Sequence, residues 1–155
     1  MDALLGGEAA AHDSMARGSM MAGMAFSNTK TTACHSISYP LTMHYQIPHG
    51  AAVSMLLAPV LRVNAPHVEE LPALLDALGV ADADELENKV QRYLTRAGLP
   101  ATLQGWGVRE EDLPRLAQLG LTRGRADNNP VEIDMEVVLN ILENTYSHYE
   151  MSKGA

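Results

Sequence analysis

Two histidines, His35 and His49, are the residues of this chain best suited to chemistry, and they lie 14 positions apart. On one unbroken helix this spacing would separate them by about 21 Å, too far to share a metal ion. Pro40 and Pro48 lie between them, and because proline disrupts a helix, the chain can fold back and bring both imidazoles together. Divalent iron or zinc accepts imidazole, but two ligands do not make a tight site, so carboxylates or further histidines must complete it.

Other side chains near this pair allow several interpretations. His44 could be a third ligand, a proton shuttle or an interface residue. Cys34 could bind a soft metal, but adjacent residues on a helix point about 100° apart, so we interpret it as part of the core. His12 and His67 are interpreted as surface or packing residues. The sequence has no glycine-rich dinucleotide fingerprint, no phosphate-binding loop and no nucleophile elbow.

Composition and charge exclude several classes of protein. The 155 residues, 46% hydrophobic and 19% charged, are typical of one folded domain. Residues 1–64 carry three acidic and three basic side chains, so residues 65–155 account for the whole net charge of −8. Without a basic stripe, nucleic acid is not an expected partner. The single cysteine excludes an internal disulfide, and no signal peptide or membrane span is recognisable, so we expect a cytoplasmic protein.

The pattern of apolar residues predicts an all-α fold, a helical bundle in which residues 1–155 form one domain, because no alternating strand pattern occurs. Start and stop signals predict the following helices: Glu8–Phe26, Ala33–Tyr39, His49–Val63, Asp82–Arg96, Glu110–Gln118 and a final helix ending at about Tyr146. Gly18 and Gly23 are expected to mark close packing of the first helix against another element. Pro40 is expected to end the second helix, and Asn129 with Pro130 to begin the last one.

The stretch Ala22–Asn64 resembles the signature region of the iron-containing (type III) alcohol dehydrogenases. It contains the helix end A-G-M-A-F-x-N, a histidine seven residues after that asparagine, then P-L, a tyrosine, and P-H-G leading into an apolar helix. The segment TKTTACHSISYPLT, with RADNNPV near the end, most resembles the branch that reduces phosphonoacetaldehyde and similar small aldehydes.

The resemblance implies a two-domain enzyme with an N-terminal α/β part that binds NAD(P) and an all-α part that binds the metal. In that family one aspartate and three histidines hold the metal, and His35 and His49 match the last two. The other two ligands and the dinucleotide site are expected to lie upstream of this chain and to be absent from it. Tyr39 stands where many relatives have a histidine, and we expect Tyr39 and His44 to shape the substrate pocket.

Two main functions remain open at this stage. The chain could be the C-terminal domain of a metal-dependent, NAD(P)-linked alcohol dehydrogenase or aldehyde reductase. It would use Fe²⁺ or Zn²⁺, take NAD(P) only from a partner that supplies the nucleotide-binding domain, and be inactive alone. Alternatively it could be a freestanding binding or scaffold domain that forms a homo-oligomer, such as a dimer, over its exposed face. A different reaction of a metal-bound water on the same scaffold is a third possibility.

Overall fold

A computed structural model of the chain describes residues 1–29, 31–121 and 128–147. Within these ranges the fold is all-α, as predicted, and contains no β-strand. The α-helices are α1 (Asp2–Leu5), α2 (Ala9–Thr29), α3 (Ala33–Tyr45), α4 (His49–Asn64), α5 (Leu71–Leu78), α6 (Ala83–Arg96), α7 (Leu113–Gly120) and α8 (Met135–Tyr146). Single 3₁₀ turns span Ala65–His67, Gln104–Trp106 and Glu110–Asp112. No helix in these ranges is both long and apolar enough to cross a membrane.

Helix α4 is the centre of the core, as its continuous apolar run predicts. It packs against α3, α6 and α8, while α7 packs against α3 and α8. Ala52 and Leu56 on α4 are fully buried. Helices α3 and α7 approach closely because Gly120 has no side chain: a Cβ there would lie 3.4 Å from the Ile37 Cα. The Ser36 hydroxyl donates to the Gly120 carbonyl oxygen at 2.5 Å, which fixes α3 against α7.

Helix α3 does not end at Pro40, which corrects the predicted boundary at Tyr39. The helix continues through the proline to Tyr45. A proline inside a helix costs about 3 kcal/mol, but Ile37 and Leu41 on either side are almost completely buried. Burying two such side chains contributes about 3–6 kcal/mol. Tertiary packing therefore outweighs the lost backbone hydrogen bond, and α3 remains one helix.

The acidic half of the chain confirms one predicted helix start and corrects another. The Asp82 carboxylate accepts the Glu85 backbone N–H at 2.8 Å, so α6 begins as predicted, and it ends at Arg96. Helix α8 instead begins after Asp134, whose side chain caps the Val137 N–H. Asn129 cannot serve as that cap because its side chain is paired with Asn64, on α4, by two reciprocal amide hydrogen bonds of 2.7 and 3.0 Å.

Helix α2 forms close to its predicted range but does not pack as predicted. None of its residues is buried, and Met20, Met21, Met24 and Phe26 are between 54 and 71% exposed. A Cβ on Gly18 would meet nothing within 4 Å, and one on Gly23 would meet only the Phe26 ring. The expected close packing at these glycines is wrong for the described residues, because the apolar face of α2 finds no packing partner among them.

Candidate metal centre

The fold brings His35 and His49 together by one sharp reversal of the chain. Helix α3 is capped by Gln46, which adopts a left-handed conformation (φ 56°) and donates its N–H to the Thr42 carbonyl. Ile47 follows, fully buried, and α4 begins with His49. The ring centres of His35 and His49 are 5.4 Å apart, with an angle of 59° between the ring planes. The proximity predicted from the sequence is present, although Gln46–Pro48 makes the reversal and Pro40 takes no part.

The geometry of this pair is compatible with two ligands of one metal ion. Two imidazoles bound to a tetrahedral ion at about 2.1 Å place their ring centres about 5 Å apart, close to the separation seen here. His35 is half-buried and His49 is exposed. Burial lowers the pKa of His35, and the neighbouring His49 lowers it further. Both causes favour the neutral imidazole, which is the form that binds metals.

The pair is not a complete site within this chain as described. Across residues 1–29, 31–121 and 128–147, no group of three or more His, Cys, Asp or Glu side chains could hold a metal ion. As two imidazole donors, the pair fits iron or zinc as half of a four-ligand shell.

Tyr39 lies beside the histidine pair. It follows His35 by one helical turn on α3, so the two side chains share a face of the helix. The Tyr39 ring stacks on the His49 ring with centres 5.7 Å apart and only 19° between the planes. The contact restrains the plane of the His49 imidazole.

His44 lies on a different side of α3. It follows His35 by nine residues on one continuous helix, which turns it by about 180°. Its groove is also lined by Tyr45, Arg109, Asp112, Arg115 and Leu116. The structure therefore brings together His35, His49 and Tyr39, and it places His44 in this separate groove.

The groove around His44 is organised by a hydrogen-bonded carboxylate. The Asp112 side chain accepts from the Arg109 Nε at 2.8 Å and from the Tyr45 hydroxyl at 2.7 Å. Both bonds lower the pKa of Asp112, and the bond from Arg109 has the larger effect. Burial is the largest cause that raises the pKa of Tyr45, and the hydrogen bond to Asp112 raises it further. The network ties the end of α3 to the turn before α7.

Cys34 belongs to the core, as predicted. It is 7% exposed, and its thiol donates to the Leu56 carbonyl oxygen at 3.7 Å. Burial raises the pKa of the Cys34 thiol to about 12, so it is not suited to bind a metal as a thiolate. His12 and His67 are both exposed at the surface, again as predicted.

Two polar residues near the pair were not found from the sequence. Ser38 is fully buried and lies between the histidines, with its hydroxyl 2.9 Å from the His35 carbonyl oxygen and 3.4 Å from the His49 Nδ1. The Thr42 hydroxyl, one turn further along α3, is buried and has no hydrogen-bond partner among the described residues. The only sequence signal for Ser38 is its position three residues after His35, a spacing at which helical side chains are neighbours.

Comparison with known proteins gives a consistent match over nearly the whole chain. Residues 3–146 match the sequence profile of the Fe-containing alcohol dehydrogenase family, C-terminal. The 1,3-propanediol dehydrogenase of Citrobacter freundii is 35% identical over 135 residues, which cover 81% of this chain and 35% of that protein.

Solved structures agree with this match. A crystal structure of a 1,3-propanediol oxidoreductase superposes with a TM-score of 0.71 and 30% identity, covering 85% of this chain and 37% of that one. The sulfoacetaldehyde reductase of Bifidobacterium kashiwanohense, solved in complex with NAD⁺, gives a TM-score of 0.65 at 27% identity, covering 77% of this chain and 32% of that one. The chain thus spans about a third of the length of each of these relatives.

Proposed function

Since the chain belongs to the Fe-containing alcohol dehydrogenase family, whose C-terminal helical domain it carries, we propose that it is the metal-binding part of an enzyme that reduces small aldehydes with NAD(P)H. The observation that carries this proposal is the facing pair His35 and His49, 5.4 Å apart at the junction of two well-packed helices. Two relatives are named as a sulfoacetaldehyde reductase and a lactaldehyde reductase, which supports a small aldehyde as the substrate class. Phosphonoacetaldehyde, the substrate of the branch with the most similar motif sequences, stays a prediction.

In this proposal His35 and His49 hold a divalent iron or zinc ion. When bound, the ion polarises the aldehyde carbonyl as a Lewis acid, and NAD(P)H supplies the hydride. Tyr39 restrains the orientation of the His49 ring by stacking on it and forms a wall of the substrate pocket. His44 acts at the far side of α3, where it lines the groove with Asp112, and its contribution to the pocket requires a contact with a second part of the enzyme.

We further propose that the dinucleotide site and the remaining metal ligands are supplied from outside these 155 residues. The relatives are about three times as long as the part that matches this chain, and one of them was solved with NAD⁺ bound. The 155-residue chain alone is then expected to be inactive, whereas its combination with a nucleotide-binding part is expected to be active.

A fusion tests this proposal directly. The nucleotide-binding part of a 1,3-propanediol dehydrogenase, joined ahead of this chain, is expected to oxidise NADH or NADPH when a small aldehyde is added. Replacing His35 or His49 with Ala should abolish both metal retention, measured by elemental analysis, and turnover. His67→Ala, at an exposed position, is the matched control and should change neither. A fusion that retains metal and turns over equally well without His35 and His49 would refute the role of the pair.

A second candidate function is suggested by α2. Its exposed methionines and Phe26 form the kind of apolar face that usually finds a partner, and a freestanding domain could cover it with a second copy of itself. Light scattering of the purified chain distinguishes the two candidates. If the chain is a dimer and the substitutions Met21→Glu and Met24→Glu dissociate it, the homo-oligomeric binding domain is favoured. If the chain is a monomer that associates with a nucleotide-binding part, the enzyme is favoured.

A further inference from the structure

Ser38 is a fully buried residue that contacts both members of the histidine pair. Its hydroxyl lies 2.9 Å from the carbonyl oxygen of His35, three residues earlier on α3. The same oxygen lies 3.4 Å from the Nδ1 atom of His49, at the start of α4. One hydroxyl therefore bridges the two helices at the point where the two imidazoles meet.

The proton count of this bridge determines which nitrogen of His49 carries hydrogen. A serine hydroxyl has one hydrogen to donate, and a backbone carbonyl can only accept. Because the Ser38 hydrogen is donated to the His35 carbonyl, its oxygen can only accept a hydrogen bond from His49. With that hydrogen donated to His35, the 3.4 Å contact is a hydrogen bond when Nδ1 of His49 carries the hydrogen, and in that neutral ring Nε2 keeps the free lone pair.

We propose that Ser38 is a positioning residue that selects the Nδ1–H form of His49 and so prepares Nε2 to bind a divalent cation. Ligating histidines generally donate their second ring N–H to a neighbouring oxygen, which sets both the tautomer and the ring orientation. Here the stacked Tyr39 ring restrains the plane of the imidazole, and Ser38 determines which edge of it is free to bind. The use of this edge for a cation rests on the proposed function, whereas the choice of tautomer does not.

The tautomer can be measured on the metal-free 155-residue chain. Histidine labelled with ¹⁵N gives different nitrogen shifts for protonated and unprotonated ring positions, and His49→Asn identifies the His49 signals by their loss. At a pH where the ring is neutral, we expect wild-type His49 to carry its hydrogen on Nδ1. In Ser38→Ala that preference should be lost in favour of Nε2–H, the form that isolated histidine prefers.

Ser36→Ala is the matched control. Ser36 is a second buried serine on α3, but its hydroxyl donates to the Gly120 carbonyl oxygen and not to the pair. Its removal should leave the nitrogen shifts of His49 unchanged, with circular dichroism confirming the fold of both variants. A wild-type His49 in the Nε2–H form, or a Ser38→Ala variant that keeps Nδ1–H, would overturn the proposal.

Titration of the fusion described above with Zn²⁺ or Co²⁺ tests the consequence for binding, because the fusion adds the part proposed to supply the remaining ligands. Loss of such a partner typically weakens metal affinity by about 10-fold or more, so Ser38→Ala should bind at least that much more weakly than Ser36→Ala, with a changed Co²⁺ absorption spectrum. Equal affinities would overturn the link between tautomer and cation. If the metal-free chain shows the Nδ1–H form but the fusion binds neither cation, the tautomer assignment is supported and the metal role in the proposed function fails.

Discussion

Helix α4 and the long helix α2 are both rich in apolar side chains, yet the fold uses them in opposite ways. Nine of the 16 residues of α4 are buried, whereas none of the 21 residues of α2 is. Helix α4 carries His49 and packs against α3, which carries His35. The position of the histidine pair is therefore set by the core of this chain. The apolar face of α2 is not covered in the same way, and measurements that separate these two regions test the whole interpretation.

The largest expected difference concerns thiol reactivity. Burial raises the pKa of Cys34 from 9.0 to about 12, which reduces the reactive thiolate by about a thousandfold, and the core also shields the sulfur. In the variant Met21→Cys, whose new thiol lies on the exposed face of α2, iodoacetamide should react with the new thiol at least that much faster than with Cys34. Peptide mass spectrometry measures both rates in one sample. If the two thiols react at similar rates in the native chain, and urea brings the rates no closer together, Cys34 does not lie in a core.

A large difference is also expected for truncated apolar side chains. Leu56 is fully buried, and Leu56→Ala should lower the free energy of unfolding by about 2–5 kcal/mol through the cavity it leaves. Met21, 71% exposed on α2, should lose less than about 0.5 kcal/mol as Met21→Ala. Urea denaturation followed by circular dichroism measures both. A loss of more than about 1 kcal/mol for Met21→Ala would show that α2 is packed after all.

A medium effect is expected at the asparagine pair. Asn64 is 8% exposed and its amide is paired with Asn129, so Asn129→Ala leaves a buried amide without its partner. The cost should be about 1–3 kcal/mol, again measured by urea denaturation. Asn28→Ala, which removes only an exposed bond to a backbone carbonyl of α2, is the control and should cost less than about 0.5 kcal/mol. Equal losses would contradict the structural role of the pair.

The same contrast explains which helices could be predicted from the sequence. Signals that act within a few residues were reliable: the Asp82 cap of α6 and the apolar run of α4 define the helices they predicted. Signals that compete with tertiary packing were not. Pro40 fails to end α3 because Ile37 and Leu41 are buried around it, and Asn129 fails to cap α8 because Asn64 already binds it. Helix α5 was not predicted, although a proline in its first turn and Gly79 at its C-cap are a start and a stop signal.

The candidate site follows the same division. The proximity of His35 and His49 was predicted from the intervening prolines and the resemblance, although of the two prolines only Pro48 lies in the reversal. Their metal role stays a prediction. The position of His44 depends on whether α3 is continuous, because only an unbroken helix turns it by about 180° from His35. The stacking of Tyr39 and the bridge made by Ser38 depend on how α3 and α4 cross, which no local pattern in the sequence encodes.

The smallest expected effect lies in the groove of His44, which is fixed by a network at the surface. The hydrogen bonds from Arg109 and Tyr45 hold the pKa of Asp112 below its ordinary value of 3.8. The folded chain therefore binds a proton at Asp112 less readily than the unfolded chain, and the resulting stabilisation is fully present above the ordinary pKa. It is lost as the pH falls through that value towards the lowered one. Asp112→Asn should consequently be less stable than wild type at neutral pH, and the difference should shrink in acid.

Denaturation midpoints of wild type and Asp112→Asn across this pH range measure the effect, and the comparison with α2 again supplies the control. Asp13→Asn changes a carboxylate on the exposed helix, so it should shift the midpoint less than Asp112→Asn does. A gap between wild type and Asp112→Asn that persists below the lowered pKa would mean that the network acts through packing and not through charge.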